Sequence, residues 1–140
     1  MAIPYATSAF VDTSAYFALA NENEAFHSAA AAIAARLAEA RTRLFTTDYI
    51  VAGTHAIVLR KIGLDAAARV LKELDSGSTV VVRVDEADEH RARWILARYD
   101  DKDFSLTDAT SFAVMERLDI SSAFTFDRQF AQYGFSVVAA

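Results

Sequence analysis

No cysteine occurs in the 140 residues. That excludes disulfides and cysteine-ligated zinc, and it fits a reducing compartment. The opening MAIPYATSAF has no basic region followed by a long apolar run, so no signal peptide is expected. No stretch reaches the roughly 18 apolar residues of a membrane span. Basic tails are missing as well, and the net charge is −5. Avid nonspecific nucleic-acid binders rely on many phosphate contacts, so that class is disfavoured. An enzyme that touches a few phosphates is not, because acids gathered around a divalent cation leave a nuclease acidic overall. Internal repeats, linkers and low-complexity segments are also lacking.

What is present is a hydrophobic fraction of 54%, enough for a core without staples. The length fits one domain over residues 1–140. Short strands are expected at 8–12, 44–46, 79–84, 123–126 and 135–138. Helices are expected at 13–20, 24–40, 48–61, 64–74, from the Asp85 cap to about Tyr99, from the Thr107 cap to Leu118, and at 128–133. Phe26, Ala30, Ile33 and Leu37 give the second helix its apolar face. Tyr49, Ala52, Ala56 and Leu59 are the core-facing set of the third. Ala87, Ala92, Trp94, Ile95 and Leu96 supply that of the fifth. Ala109, Phe112, Ala113 and Leu118, with Met115 near their edge, do so for the sixth. Short β-branched or aromatic strands alternating with longer helices predict an α/β fold with a mainly parallel central sheet flanked by helices.

Such a sheet collects the carboxyl ends of its strands along one edge, where ligands bind. Asp12 follows the run Ala9–Phe10–Val11, and Asp127 follows Ala123–Phe126, so both belong on that edge. Asp108, in the first turn of a helix, can reach it too. Three converging carboxylates need a cation, a proton or solvent between them. Two unit charges roughly 4 Å apart repel by about 4 kcal/mol at an effective dielectric of about 20. Magnesium and manganese prefer such hard oxygen ligands. Helix capping by Asp12 or Asp127 is the competing explanation for either alone.

Thr13 and Ser105 are candidates to hydrogen-bond a ligating carboxylate or a metal-bound water, with local capping and loop bonding the competing explanation, and Thr125 is a candidate to align the end of the Asp127 strand. Arg128 is a candidate phosphate contact, as are Arg60, Arg98 and Lys102. Asp103 lies in a charged loop that borders the site or is simply solvated. Gly53 interrupts a good helix at a cost of about 1 kcal/mol relative to alanine; close packing is the plainest reason. His27 and the His90 region are read as structural or solvated.

Four segments together carry a resemblance. VDTSAYFAL (11–19), TTDYIVAGTHAIVLRK (46–61), SLTDATSFAVMERL (105–118) and AFTFDRQF (123–130) stand in the order and spacing of a PIN domain. More narrowly they resemble the VapC type of toxin ribonuclease. The resemblance implies a PIN-like three-layer fold and assigns metal-binding, catalytic roles to Asp12, Asp108 and Asp127, with Mg²⁺ or Mn²⁺ as cofactor. It implies a cytoplasmic RNA endonuclease, the toxin of a type II toxin–antitoxin pair. RNA would be its substrate, and a small antitoxin and a second copy its partners, with Tyr16, Phe17, Phe26 and Ile33 as contributing surfaces. The family pattern has a glutamate where this chain has Gly53. Asp48 and Asp103 are weak stand-ins. The departure raises the alternative of a catalytically weak module that binds antitoxin or RNA. A DNA structure-specific nuclease is a further alternative.

Overall fold

The computed structural model of the chain describes residues 8–139. The elements are β1 (Ser8–Val11), α1 (Thr13–Ala20), α2 (His27–Glu39), β2 (Arg43–Thr47), α3 (Asp48–Lys61) and α4 (Leu64–Ser76). Next come β3 (Val80–Val82), α5 (Glu86–Arg98), α6 (Leu106–Arg117), β4 (Ser122–Phe124), α7 (Gln129–Tyr133) and β5 (Ser136–Val137). The strands form one sheet in the order β3-β2-β1-β4-β5. Every pairing is parallel; Phe10 of β1 is in register with Phe45 of β2 and Ala123 of β4.

Successive strand residues face opposite sides of a sheet, and the central strand β1 accordingly feeds two cores. Phe10 joins one with Ile50, Ile95, Phe112, Met115 and Phe130. Its neighbour Val11 joins the other with Ala15, Ala30, Ile33, Leu37 and Phe124. Both layers are therefore dry, as an all-parallel sheet requires. Each fully buried phenylalanine contributes about 1.5–3 kcal/mol. Phe112 is the hub of the first core, edge-on to Phe104 at 5.1 Å and to Phe130 at 5.0 Å, and stacked on Tyr133 at 4.6 Å.

Several expected boundaries and faces shift. The second helix starts at His27, after turns at 22–26, and the His27 ring nitrogen Nδ1 donates to the Ala18 carbonyl at 2.8 Å. Phe26, expected on its buried face, is exposed and stacks on Phe126 at 4.8 Å. Ile33, expected on a partner surface, is in the core. The third strand shrinks to Val80–Val82 because it is an edge, and the Val84 N–H is taken by the Asp48 carboxylate at 2.9 Å. The core side of α3 is Ile50, Thr54 and Val58, not Tyr49, Ala52, Ala56 and Leu59. Trp94 and Ala87 of α5 face outward, as does Leu118 at the end of α6, while Met115 is buried. Ser105, not Thr107, caps α6.

Helices α5 and α6 run antiparallel, joined by an ion pair whose acid is buried and whose Arg117 side chain is 38% exposed. Asp88 in the first turn of α5 is 2% exposed. It accepts from Arg117 Nε and Nη2, both at 2.8 Å, at the far end of α6. It also closes a capping box with Asp85. Burial pushes the Asp88 carboxyl up, but the Arg117 and Asp85 hydrogen bonds outweigh it and hold the group below its ordinary value. Its stabilising contribution is therefore full at neutral pH and is lost as pH falls through the lowered value. Asp88→Ala leaves Arg117 without its partner and removes half a cap. Chemical denaturation at neutral pH should show a loss of about 1–3 kcal/mol, shrinking in acid. A loss under about 1 kcal/mol, the range of an exposed pair, would show that the pair does not lock the helices.

Candidate functional site

The carboxyl ends of β1 and β4 meet at Asp12. Its N–H donates to the Phe124 carbonyl at 3.1 Å, and its side chain is 3% exposed. Oxygen Oδ2 accepts from Ser14 Oγ at 2.9 Å and Thr125 Oγ1 at 3.0 Å. Each hydroxyl is itself an acceptor: Ser14 from the Phe126 N–H at 2.9 Å, Thr125 from the Asp127 N–H at 3.0 Å. The strand stops at Phe124 because the next backbone N–H groups are turned to these hydroxyls. One network thus orients Asp12 and aims the segment carrying Asp127.

Asp108 enters from the start of α6. The sequence Ser105-x-x-Asp108 forms a capping box: the Asp108 N–H donates to Ser105 Oγ at 3.0 Å, and the Ser105 N–H donates to Asp108 Oδ2 at 2.9 Å. Ser105 therefore holds Asp108 through its backbone. Burial raises the Asp108 carboxyl; the Ser105 hydrogen bonds oppose this, and Asp12 and Asp103 add to it. Asp127 is close enough to Asp12 and Asp108 for their charges to act on it. Loss of solvent on its inner side, then repulsion from Asp12 and Asp108, pushes it up to about 6. The structure thus brings the three predicted aspartates near enough to one another for their charges to interact.

The supporting residues divide. Thr125 holds the Asp127 backbone as expected. Thr13 does not bond a carboxylate; its hydroxyl has only a long 3.5 Å contact from Thr54. Asp103 stands on the exposed rim, 3.6 Å from Arg128 Nη2 and 3.4 Å from Gln129 Nε2, with its charge felt at Asp108. Asp48 is spent on the Val84 N–H. A Cβ built on Gly53 meets only Thr13 Oγ1, at 3.9 Å. Close packing therefore does not require this glycine, and the position faces Thr13, the residue after Asp12. Ser14 is a site residue that sequence pattern does not single out. Its signal is the hydroxyl two residues after Asp12, a spacing at which side chains bond locally.

The cluster is not a closed cage: among the described residues no three His, Cys, Asp or Glu side chains form a ready-made metal-holding group. Two of the three carboxylates have an oxygen committed to local hydrogen bonds. A cation that keeps part of its water shell, as Mg²⁺ does, suits such a looser set of acids.

Comparison with known proteins identifies the class: the chain belongs to the PIN domain family, which matches residues 9–136. Its relatives are more specific. The 23S rRNA-specific endonuclease VapC20 of Mycobacterium tuberculosis is 34% identical over 130 residues, covering 90% of this chain and 94% of that protein. Ribonuclease VapC26 of the same organism is 29% identical over 119 residues, covering 85% and 86%. The crystal structure of M. tuberculosis VapC20, a sarcin–ricin loop cleaving toxin, superposes with a TM-score of 0.85 at 32% identity, covering 94% of this chain and 98% of that one. No helix among the described residues is long and apolar enough to cross a membrane.

The strain on Asp127 has a testable sign. Its folded value of about 6 lies above that of an ordinary carboxyl, so between the two the folded state holds more protons than the unfolded state. Stability is highest below that window and falls as pH rises through it. In chelator, Asp127→Asn should melt above the parent at neutral pH, and the gap should close below about pH 4. Equal melting temperatures at neutral pH would show that the repulsion is not felt.

Proposed function

We propose that the chain is an endoribonuclease of the VapC type that hydrolyses RNA phosphodiesters with a divalent cation. The observation that carries this is the convergence of Asp12, Asp108 and Asp127, with Asp127 raised to about 6. Hard oxygen donors in unrelieved repulsion fit Mg²⁺ or Mn²⁺, and these three residues would hold the ion. Such an ion supplies charge stabilisation at the phosphoryl oxygens and acidifies water for attack on phosphorus. The chain's own part is orientation. Ser14 and Thr125 fix the Asp12 carboxylate, and the Ser105 N–H fixes Asp108. Arg128, exposed and joined to Asp103 only by a 3.6 Å surface pair, can exchange that weak contact for a phosphate oxygen.

The same reading includes restraint by an antitoxin, cytoplasmic action and a homodimer. Two clefts of about 440 and 560 Å³ adjoin at Tyr16, Leu19 and Thr79. Ala34, Leu37, Leu44 and Val80 make the larger one apolar, with Arg41 and Arg43 beside them. An antitoxin would lay an apolar segment there and offer an Arg or Lys to the acidic cluster. Exposed Leu59, Ile62 and Leu64 support a contact between copies; light scattering that finds only monomer would remove the dimer.

Purified protein should cleave RNA with Mg²⁺ or Mn²⁺ and stop with chelator. Asp12→Asn or Asp108→Asn should abolish cleavage. Ser14→Ala keeps every carboxylate and should lower cleavage about 10–100-fold. Matched DNA cut equally well would favour the DNA nuclease, and no cleavage of a broad RNA panel would count against the enzyme.

Gly53 supports a second reading, a catalytically weak module that binds RNA or antitoxin. Its Cβ direction has room for a side chain beside Thr13. Calorimetric titration should find tighter Mg²⁺ binding and faster cleavage in Gly53→Glu than in Gly53→Ala. The alanine variant should gain only helix stability of up to about 1 kcal/mol. Equal metal affinity in the two variants would end the missing-ligand account.

A further inference from the structure

Helix α5 divides its charges along its length. All its acids lie in the first turn. Asp88 is consumed by Arg117, and Glu89 accepts from the Tyr49 hydroxyl. From His90 onward the helix reads HRARWILAR and holds no acid, in a chain of net charge −5. At about 100° per residue, His90, Arg91, Trp94 and Arg98 share one arc of the helix, with Arg93 at its margin. Among the described residues neither Arg93 nor Arg98 has an ion-pair partner.

Trp94 sits in the middle of that arc and is 51% exposed. The guanidinium carbon of Arg91 lies 4.3 Å from the indole centroid. Arg91 is itself held by Glu116, through Nε at 3.0 Å and Nη2 at 3.2 Å, and Glu116 accepts from the Tyr133 hydroxyl at 2.9 Å. Arg91, held by Glu116 and through it by Tyr133, thus braces an indole that is about half exposed. These bonds tie α5, α6 and α7 together, and they also leave the ring already oriented when a planar ligand arrives.

We propose that this face of α5 is a stacking platform for an unpaired RNA base, with Arg93 and Arg98 taking the neighbouring phosphates. It rests on the ribonuclease reading and adds to it a binding site on a helix that carries none of the three aspartates. An aromatic face accepts any base, and cationic neighbours add the phosphate term. Unpaired loop bases are the ones free to be presented in this way. A second copy of the chain fits less well: an isologous contact centred on Trp94 would set its flanking arginines against those of the partner.

Trp94 is the only tryptophan, so its fluorescence reports on this face alone. The test titrates a labelled hairpin RNA with an unpaired loop, in chelator and on the Asp127→Asn background, so that nothing is cleaved. RNA should quench Trp94 with the same saturation curve that the label's anisotropy shows. Trp94→Ala should weaken binding about tenfold, and Trp94→Phe, which keeps a ring, should stay within about threefold of the parent. Arg93→Gln and Arg98→Gln should each lower the slope of log affinity against log salt by about 0.7. Unchanged RNA affinity in Trp94→Ala overturns the platform and leaves the ribonuclease reading standing. Loss of dimer in that variant with RNA affinity unchanged reassigns the face to a contact between copies. A parent protein that binds no RNA overturns both readings.

Discussion

The hydrogen bonds gathered on Asp12 are the constraint on which the carboxyl edge of this sheet depends. A carboxylate with almost no access to water is costly unless its acceptors are filled. Here two hydroxyls from segments far apart in sequence fill one oxygen, and each hydroxyl captures a backbone N–H in turn. β1, the first turn of α1 and the exit from β4 are thereby held at one point. Removing a hydroxyl would leave both an under-solvated anion and a freed N–H, so the loss would spread along the network. The strain at Asp127 follows from the same arrangement, because the segment that carries it is aimed at a fixed negative charge.

Structural rigidity elsewhere has a comparable origin. The Asp88–Arg117 pair sets the direction of α5 against α6, and α6 can then be buried on nearly every side from Ala109 to Met115. A helix so enclosed leads from Asp108 at one end to Arg117 at the other, so the site and the ion pair are two ends of one rigid element.

Much of this is legible from local pattern. Acids that terminate apolar runs announce strand ends, which marks Asp12 and Asp127; Asp108 is marked by its place in the first turn of a helix. The parallel, two-faced sheet is legible from β-branched strands separated by helices. Pattern misleads where it is ambiguous. In α3 both sides carry small or apolar residues, and the buried side includes Thr54, which an apolar template passes over. Burial is the default expectation for an indole, and only the Arg91–Glu116–Tyr133 brace shows why Trp94 stands outside. Thr107 and Ser105 are both good caps, and the reciprocal bond to Asp108 decides between them. Ser14 leaves the faintest trace, since its decisive contacts reach across more than a hundred residues.

That last separation bears on how the molecule is made. The first strand lies in the middle of the sheet, and its partner β4 comes from the opposite end of the order. The Asp12–Thr125 hydrogen bond spans 113 residues, a long-range contact of the kind that slows folding. During synthesis β1 has only β2 beside it, and the carboxylates remain apart until the chain has been extended through Asp127. Under the ribonuclease reading, hydrolysis cannot begin on a partly synthesised chain. Strand order thus delays the hazard to the cell's own RNA, before any antitoxin acts.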